Sequence, residues 1–136
     1  MTDPAERGYR PFEHGGGYIA LSGPYHWKRD EAGVFQYGFQ SDHRHGNPNG
    51  VLHGAAILAF VDTFFGHAVV AATGRKCATI ALNTQFVAGA PTGGWIDGGA
   101  RLRKVTRTMA FLDGEASAGG TLLLTATAIF RIFEER

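Results

Sequence analysis

The sequence predicts an α+β domain in which a curved antiparallel sheet of five or six strands wraps around one central helix. Three observations carry this. The segment Gly54 to Thr73 is rich in alanine, has no proline and is followed by Gly74, the glycine expected just past a helix end. That helix is apolar almost all round: Ile57, Leu58, Phe60, Val61, Phe64, Phe65, Val69 and Val70 leave no polar face, and a helix hydrophobic on all sides is buried on all sides. The other periodic segments read as strands with hairpin-length gaps between them, which implies an antiparallel meander.

Taken in order, residues 1–16 hold Pro4, Pro11 and the start of Gly15-Gly16-Gly17 without a period and read as an irregular lead-in. Tyr18-Ile19-Ala20-Leu21 opens an extended segment that Gly23-Pro24 interrupts and Tyr25-His26-Trp27 resumes. A turn at Arg29 to Gly33 leads into the aromatic strand Val34 to Gln40, completing a hairpin. The loop Ser41 to Leu52 is dense in Asp, His, Asn, Gly and Pro. After the helix come strands at Ala78 to Val87, Trp95 to Val105, Thr108 to Glu115 and Leu122 to Phe133. There is no internal repeat or linker, so residues 1–136 are expected to form one domain.

Composition narrows the function. Thirteen Lys and Arg against twelve Asp and Glu leave +1, which provides no basic surface for nucleic acid. At 44% hydrophobic and 18% charged residues the chain is not disordered. Its one cysteine, Cys77, cannot form an internal disulfide and is expected as a small buried apolar residue in a cytoplasmic protein. The polar opening Met1 to Arg7 is no secretory segment, and apolar runs such as Ala55 to Val61 fall short of the ~20 residues of a membrane span. No membrane association is expected.

The chemistry concentrates between His43 and Asp62. Asp62 is the only carboxylate from Gly54 to Thr73, with Leu58, Ala59, Phe65 and Gly66 three and four residues away. A carboxylate in such surroundings needs partners or a function; the plainer alternatives are a hydrogen bond to a neighbouring strand or a place in a dimer seam. Gly54 opens the helix, where its N–H has no intrahelical partner and the helix dipole adds partial positive charge. Without a side chain it lets a carbonyl oxygen approach, as in an oxyanion hole; the plainer alternative is a hinge. Eight residues separate the two, about 12 Å along the axis at ~1.5 Å per residue. If they act together, two chains with antiparallel helices must supply them, making at least a dimer with two composite sites.

The series Asn47, Gly50, His53-Gly54 and Asp62 resembles the motif of hotdog-fold acyl-CoA thioesterases, specifically the phenylacetate-degradation (PaaI-like) branch. The aromatic hairpin before it and the strand Ala78 to Val87 after it fit as well, so the likeness spans residues 18–133. The resemblance implies a hotdog fold and hydrolysis of an aryl-acyl or medium-chain acyl-CoA to free acid and coenzyme A. It makes Asp62 the general base on water or the nucleophile, and the Gly54 N–H the group that polarises the thioester carbonyl. Asn47 would orient water or carbonyl, His53 would buttress the loop or contact the thioester, and Thr79 would set a hydroxyl near the acid. Ala55 stands where many relatives have a second glycine, and Thr79 where serine is an alternative; both are expected to tune activity rather than abolish it.

No cofactor is implied, since coenzyme A is part of the substrate. Its phosphates call for cations, and Arg101, Arg103, Lys104 and Arg107 form the densest basic stretch. The resemblance lays the nucleotide over this hairpin and over Phe86 to Pro91, giving Lys104, Arg107 and the segment Phe86, Val87, Ala88, Gly89 as substrate-binding candidates; the bland alternative for the basic stretch is a solvated strand face. His43, His45 and His53 share a loop, but their spacing fits no closed metal motif, so no metal is expected. His67, five residues after Asp62, points away from it and reads as a core or interface histidine. Two other functions compete: a non-catalytic acyl-CoA-binding module, which gives no reason for Asp62, and an enoyl-thioester hydratase, whose histidine and acid are placed differently. The partners expected are acyl-CoA and further copies of the chain, as a dimer or a dimer of dimers.

Overall fold

Along the chain, the computed structural model, which describes residues 3–13 and 15–134, places β1 (Arg10–Pro11), α1 (Tyr18–Ser22), β2 (Tyr25–Arg29), β3 (Phe35–Gln40), α2 (Gly54–Thr73), β4 (Cys77–Phe86), β5 (Trp95–Val105), β6 (Met109–Ala118) and β7 (Thr121–Ile132). Short 3₁₀ turns lie at Pro4–Arg7 and His43–His45.

Helix α2 begins and ends where the sequence says it should. His53 is its N-cap, with Nδ1 accepting the Ala55 N–H at 3.0 Å. Gly74 follows in the left-handed conformation, φ 69°, and its N–H reaches the Val70 carbonyl at 2.8 Å. Between them Ile57, Phe60, Val61, Phe64, Phe65 and Val69 form a buried stripe. Phe and Val are indifferent helix formers, up to ~0.7 kcal/mol each below Ala. Burial contributes about 1.5–3 kcal/mol per such side chain, so packing on the sheet, not propensity, holds this helix.

All seven strands join one antiparallel sheet in the order β1-β2-β3-β5-β6-β7-β4. Its inner face carries Ile96, Ala110, Leu112, Ala116, Leu124, Phe130 and Ile132 against the stripe of α2. Two glycines make the close approach possible. A Cβ on Gly98 would run into the rings of Phe64 and Phe60, and one on Gly114 would come within 2.6 Å of Phe65. Two of the chain's 20 glycines therefore sit mid-strand and give the helix's phenylalanines their space.

Several expectations are corrected. The sheet has seven strands, because β1 from the lead-in pairs with β2. Tyr18 to Leu21 is the helix α1, not a strand: a four-residue apolar run carries no period long enough to decide, and here Ile19 packs on the core while Tyr18 and Leu21 point outward. The order is not a simple meander. β4 lies at the far edge beside β7, and β5 pairs with β3. Nor does the sheet wrap all round α2: Ala55 and Val70 are exposed, and Ala59, Asp62 and Gly66 on the same side are only partly buried. With 20 residues and mean hydropathy 1.8, α2 also matches a membrane span in length and composition, contrary to the reading of its runs as too short, yet its stripe supplies the core. Cys77 is half-buried rather than buried.

Candidate active site

The loop before α2 is built by its own polar side chains. Asp42 accepts the Arg44 N–H at 2.9 Å, and the Asp42 N–H donates to His45 Nδ1 at 2.9 Å, a reciprocal cap on the 3₁₀ turn. Asn47 Oδ1 accepts from the N–H groups of Asn49 (2.9 Å) and Val51 (3.2 Å), and Gly50 takes φ 74° to close that turn. Asn47 thus spends its carbonyl oxygen on the loop and keeps its amide NH₂ to present elsewhere. The His53 N–H donates to the His45 carbonyl at 2.8 Å, and the Leu52 N–H to Ala90 at 2.9 Å. This last bond ties the loop to the segment after β4.

That tie makes a groove. Leu52, Gly54, Ile57, Phe86, Val87, Ala88 and Gly89 line an open hollow of about 430 Å³. Gly54, first residue of α2, has no hydrogen-bond partner for its N–H among the described residues. Phe86 lies over it so closely that a Cβ there would sit 2.9 Å from the ring. The groove therefore unites an unpaired helix-start amide with the four residues Phe86 to Gly89 singled out in the sequence. Leu52 and Ile57 were not singled out; Ile57, three residues after Gly54 on one helix face, was within reach of periodicity.

Asp62 stands on the uncovered side of α2. Its Oδ1 accepts the Thr79 hydroxyl at 2.6 Å, a short charge-assisted bond, and no other partner for this carboxylate occurs among the described residues. A bulge between Thr79 and Ala81 interrupts the pairing of β4 with β7, and bulges re-aim side chains. The structure thus brings Thr79 and Asp62 together within one chain. It does not bring Gly54 and Asp62 together, since they lie two helical turns apart. Cys77 is no competing nucleophile: burial pushes its thiol up, with the Asp62 carboxylate adding to the effect.

The basic stretch divides. Arg101 pairs with Asp113 (2.7 Å) and Glu115 (3.0 Å), and Arg103 pairs with Asp113 as well. Lys104 is exposed and has no ionic partner among the described residues, and Arg107 meets Glu134 at 2.9 Å with both side chains more than two-thirds exposed, a pairing of little energetic weight. Arg107 lies beside the C-terminal end of α2, where Arg75 donates to its carbonyl at 3.0 Å. It is a helix length from Gly54, roughly 30 Å at 1.5 Å per residue. One chain therefore does not assemble Arg107 with Phe86 to Gly89, and Lys104 stands in register with Phe111, Ile129 and Ala81, three strands across the sheet from β4.

The histidines are occupied structurally. His45 is buried, bonded through Nδ1 to Asp42 and through Nε2 to the Ser22 carbonyl at 2.6 Å. His67 meets the Tyr37 hydroxyl at 2.9 Å within a cluster of Phe12, Trp27 and Phe35, and burial lowers its pKa. Among the described residues no three His, Cys, Asp or Glu side chains converge as a metal site.

A family model described as the Thioesterase superfamily matches residues 49–125, more than half of the chain, from the loop through β7's first strand residues. The chain belongs to that superfamily and is a thioester hydrolase. Solved structures agree on the fold, a hotdog. A conserved protein from Pseudomonas aeruginosa is 20% identical, covers 87% of this chain and 94% of its own, and superposes with TM-score 0.77. A Bacillus halodurans protein solved with CoA is 20% identical, with 91% and 83% covered and TM-score 0.80. A Haemophilus influenzae thioesterase is 15% identical, with 85% and 82% covered and TM-score 0.77. Comparison with curated proteins finds no match.

Proposed function

We propose that this protein hydrolyses an aryl-acyl or medium-chain acyl-CoA, in the manner of the PaaI-like branch, at two composite sites of a homodimer. One observation carries the reading: the unpaired Gly54 amide and the Asp62–Thr79 pair sit about 12 Å apart along one helix, too far for one reacting carbon, beside a helix side that the chain's own sheet leaves uncovered. The surface there is apolar, with Val70, Ile80, Phe86 and Val87 exposed, as expected of an interface. A second copy with its helix antiparallel sets its Asp62 opposite this Gly54. It also carries its own Arg107 end about 16 Å beyond that point, the rise from Asp62 to Thr73. A cation a helix length away in one chain thus approaches the groove in two. The Bacillus halodurans likeness, solved with CoA, supports coenzyme A as the leaving group.

The chemistry then needs one acid, one dipole and water. In the general-base form, Asp62 takes a proton from water while the Thr79 hydroxyl fixes its other oxygen. The water oxygen bonds to the thioester carbon, and the Gly54 N–H holds the negative charge on the carbonyl oxygen. Collapse breaks the C–S bond, and the thiolate takes the proton from Asp62, yielding free acid and coenzyme A. In the nucleophilic form the Asp62 carboxylate bonds to the thioester carbon, the C–S bond breaks and coenzyme A leaves as the thiolate; water then cleaves the mixed anhydride to the free acid and the restored Asp62 carboxylate, and its proton goes to the thiolate. Neither form uses a cofactor, and a cytoplasmic setting fits the single thiol.

Thiol release from a panel of acyl-CoAs tests the reaction: turnover of aryl-acyl or medium-chain members is expected, and no release from any member would overturn it. The mass in solution is expected to be that of a dimer or a multiple of it; an active monomer would contradict the two-chain site. Arg107→Ala is expected to raise KM for acyl-CoA severalfold without changing KM for a truncated thioester lacking the nucleotide. Equal effects on the two substrates would remove Arg107 from phosphate recognition.

A further inference from the structure

We infer that α1 forms the wall of the acyl site, and that Tyr18 and Leu21 on it select an uncharged, apolar acyl group; this rests on the reading of the reaction given above. A thioester whose carbonyl oxygen sits on the Gly54 N–H extends in two directions, and the structure has one hollow lined by Gly54 itself and another lined by its neighbours His53, Ala55 and Ala56. The groove at Phe86 to Gly89 is one. The other, about 320 Å³, lies between α1 and the first turn of α2; Tyr18, Leu21, Ala55 and Ala56 line it together with the polar Ser22, Arg44, His45 and His53. Its volume is at the lower end of ligand pockets.

Chemistry assigns the arms. Pantetheine carries two amides that need hydrogen-bond partners. In the groove, the Gly89 N–H and the carbonyls of Ala88 and Gly89 have none among the described residues. At the end of α1 the backbone acceptors are already taken. The carbonyls of Leu21 and Gly23 accept the Arg44 guanidinium at 2.7 Å each, and the Ser22 carbonyl meets His45 Nε2 at 2.6 Å. Arg44 also donates to Asp42, so its charge is neutralised and does not invite a carboxylate on the acyl group. Tyr18, Leu21, Ala55 and Ala56 give the hollow an apolar wall beside these polar side chains. Tyr18 is 66% and Leu21 74% exposed, an arrangement that costs burial unless something apolar covers them. Arg44 and His45 thereby act as positioning residues, hanging α1 from the same loop that carries Asn47 and His53.

The test is the acyl profile of Leu21→Ala, Leu21→Trp and Tyr18→Ala beside the wild type. Both side chains are largely exposed, so Tm is expected to change little. Truncation is expected to shift the ratio of kcat/KM for long against short acyl-CoAs roughly tenfold or more towards the longer group, and Leu21→Trp to shift it the other way. A wild type that hydrolyses, with ratios unchanged in all three folded variants, overturns the assignment of the acyl arm alone. A wild type that releases no thiol from any acyl-CoA overturns the hydrolytic reading, and this inference with it.

Discussion

Asp62→Asn is expected to cut thiol release from the best acyl-CoA by about 10²–10⁴-fold, the usual worth of a positioned acid or base. The substitution is nearly isosteric, and an asparagine Oδ1 still accepts the Thr79 hydroxyl that now sits 2.6 Å away. The bulge in β4 and the packing of α2 therefore have no reason to change. Circular dichroism, Tm and affinity for coenzyme A are expected to match the wild type, so that the loss falls on kcat. Hydrolysis at near-wild-type rate would remove Asp62 from the reaction and leave it as a seam residue bonded to a strand.

Gly54→Pro is the second large effect, expected at about 10²–10³-fold on kcat, the cost of deleting one oxyanion donor. Proline is tolerated at the first helical position. His53, with φ −71° and ψ 134°, already has the backbone that a following proline demands. The N–H removed makes no bond among the described residues, so the described fold loses no hydrogen bond. Gly54→Ala is the control: it keeps the N–H and brings a Cβ to the same 2.9 Å from the Phe86 ring. A proline variant as active as the alanine variant would show that the amide does not hold the carbonyl. Mixing the two inactive chains, Asp62→Asn and Gly54→Pro, and letting subunits reassort gives a further readout. Half the dimers would be mixed and each would regain one intact site, restoring about a quarter of wild-type activity. No recovery would place both groups in one chain.

The sequence made some of this legible and hid the rest, for physical reasons. Helix α2 was readable to the residue, because a glycine stop and an uninterrupted apolar period coincide there. The Asp62 and Gly54 pair was readable as a problem in distance, since a helix converts sequence separation directly into length. The partnership of Thr79 with Asp62 entered through family resemblance, because a contact seventeen positions apart between helix and strand has no local signature. The strand order was lost for a similar reason. Gap lengths at Ala88 to Gly94 suit a hairpin, but β4 finds its partner in β7, nearly forty residues on. Helix α1 was missed because its hydrogen-bond acceptors are met from Arg44 and His45, twenty-odd positions away, and no four-residue window records that. The expectation of an all-round sheet came from the lack of a polar face on α2, but the sheet leaves Ala55 and Val70 exposed and Ala59, Asp62 and Gly66 only partly buried.

The close fit of Phe64 and Phe65 into the space left at Gly98 and Gly114 has a consequence for precision. A smooth apolar interface would let a helix slide along or roll over its sheet at small cost, because hydrophobic contact is non-directional. Rings seated in notches cannot shift by part of a turn without meeting the Cβ-bearing residues on either side. The core therefore works as an index that fixes α2 axially and in rotation against β5 and β6, and through the continuous sheet against β4. Both groups proposed for the reaction hang from that one setting: Asp62 at the height of Thr79, and the Gly54 amide beneath Phe86. A glycine in the middle of a strand is in this way the gauge that keeps two distant contacts of the helix in register.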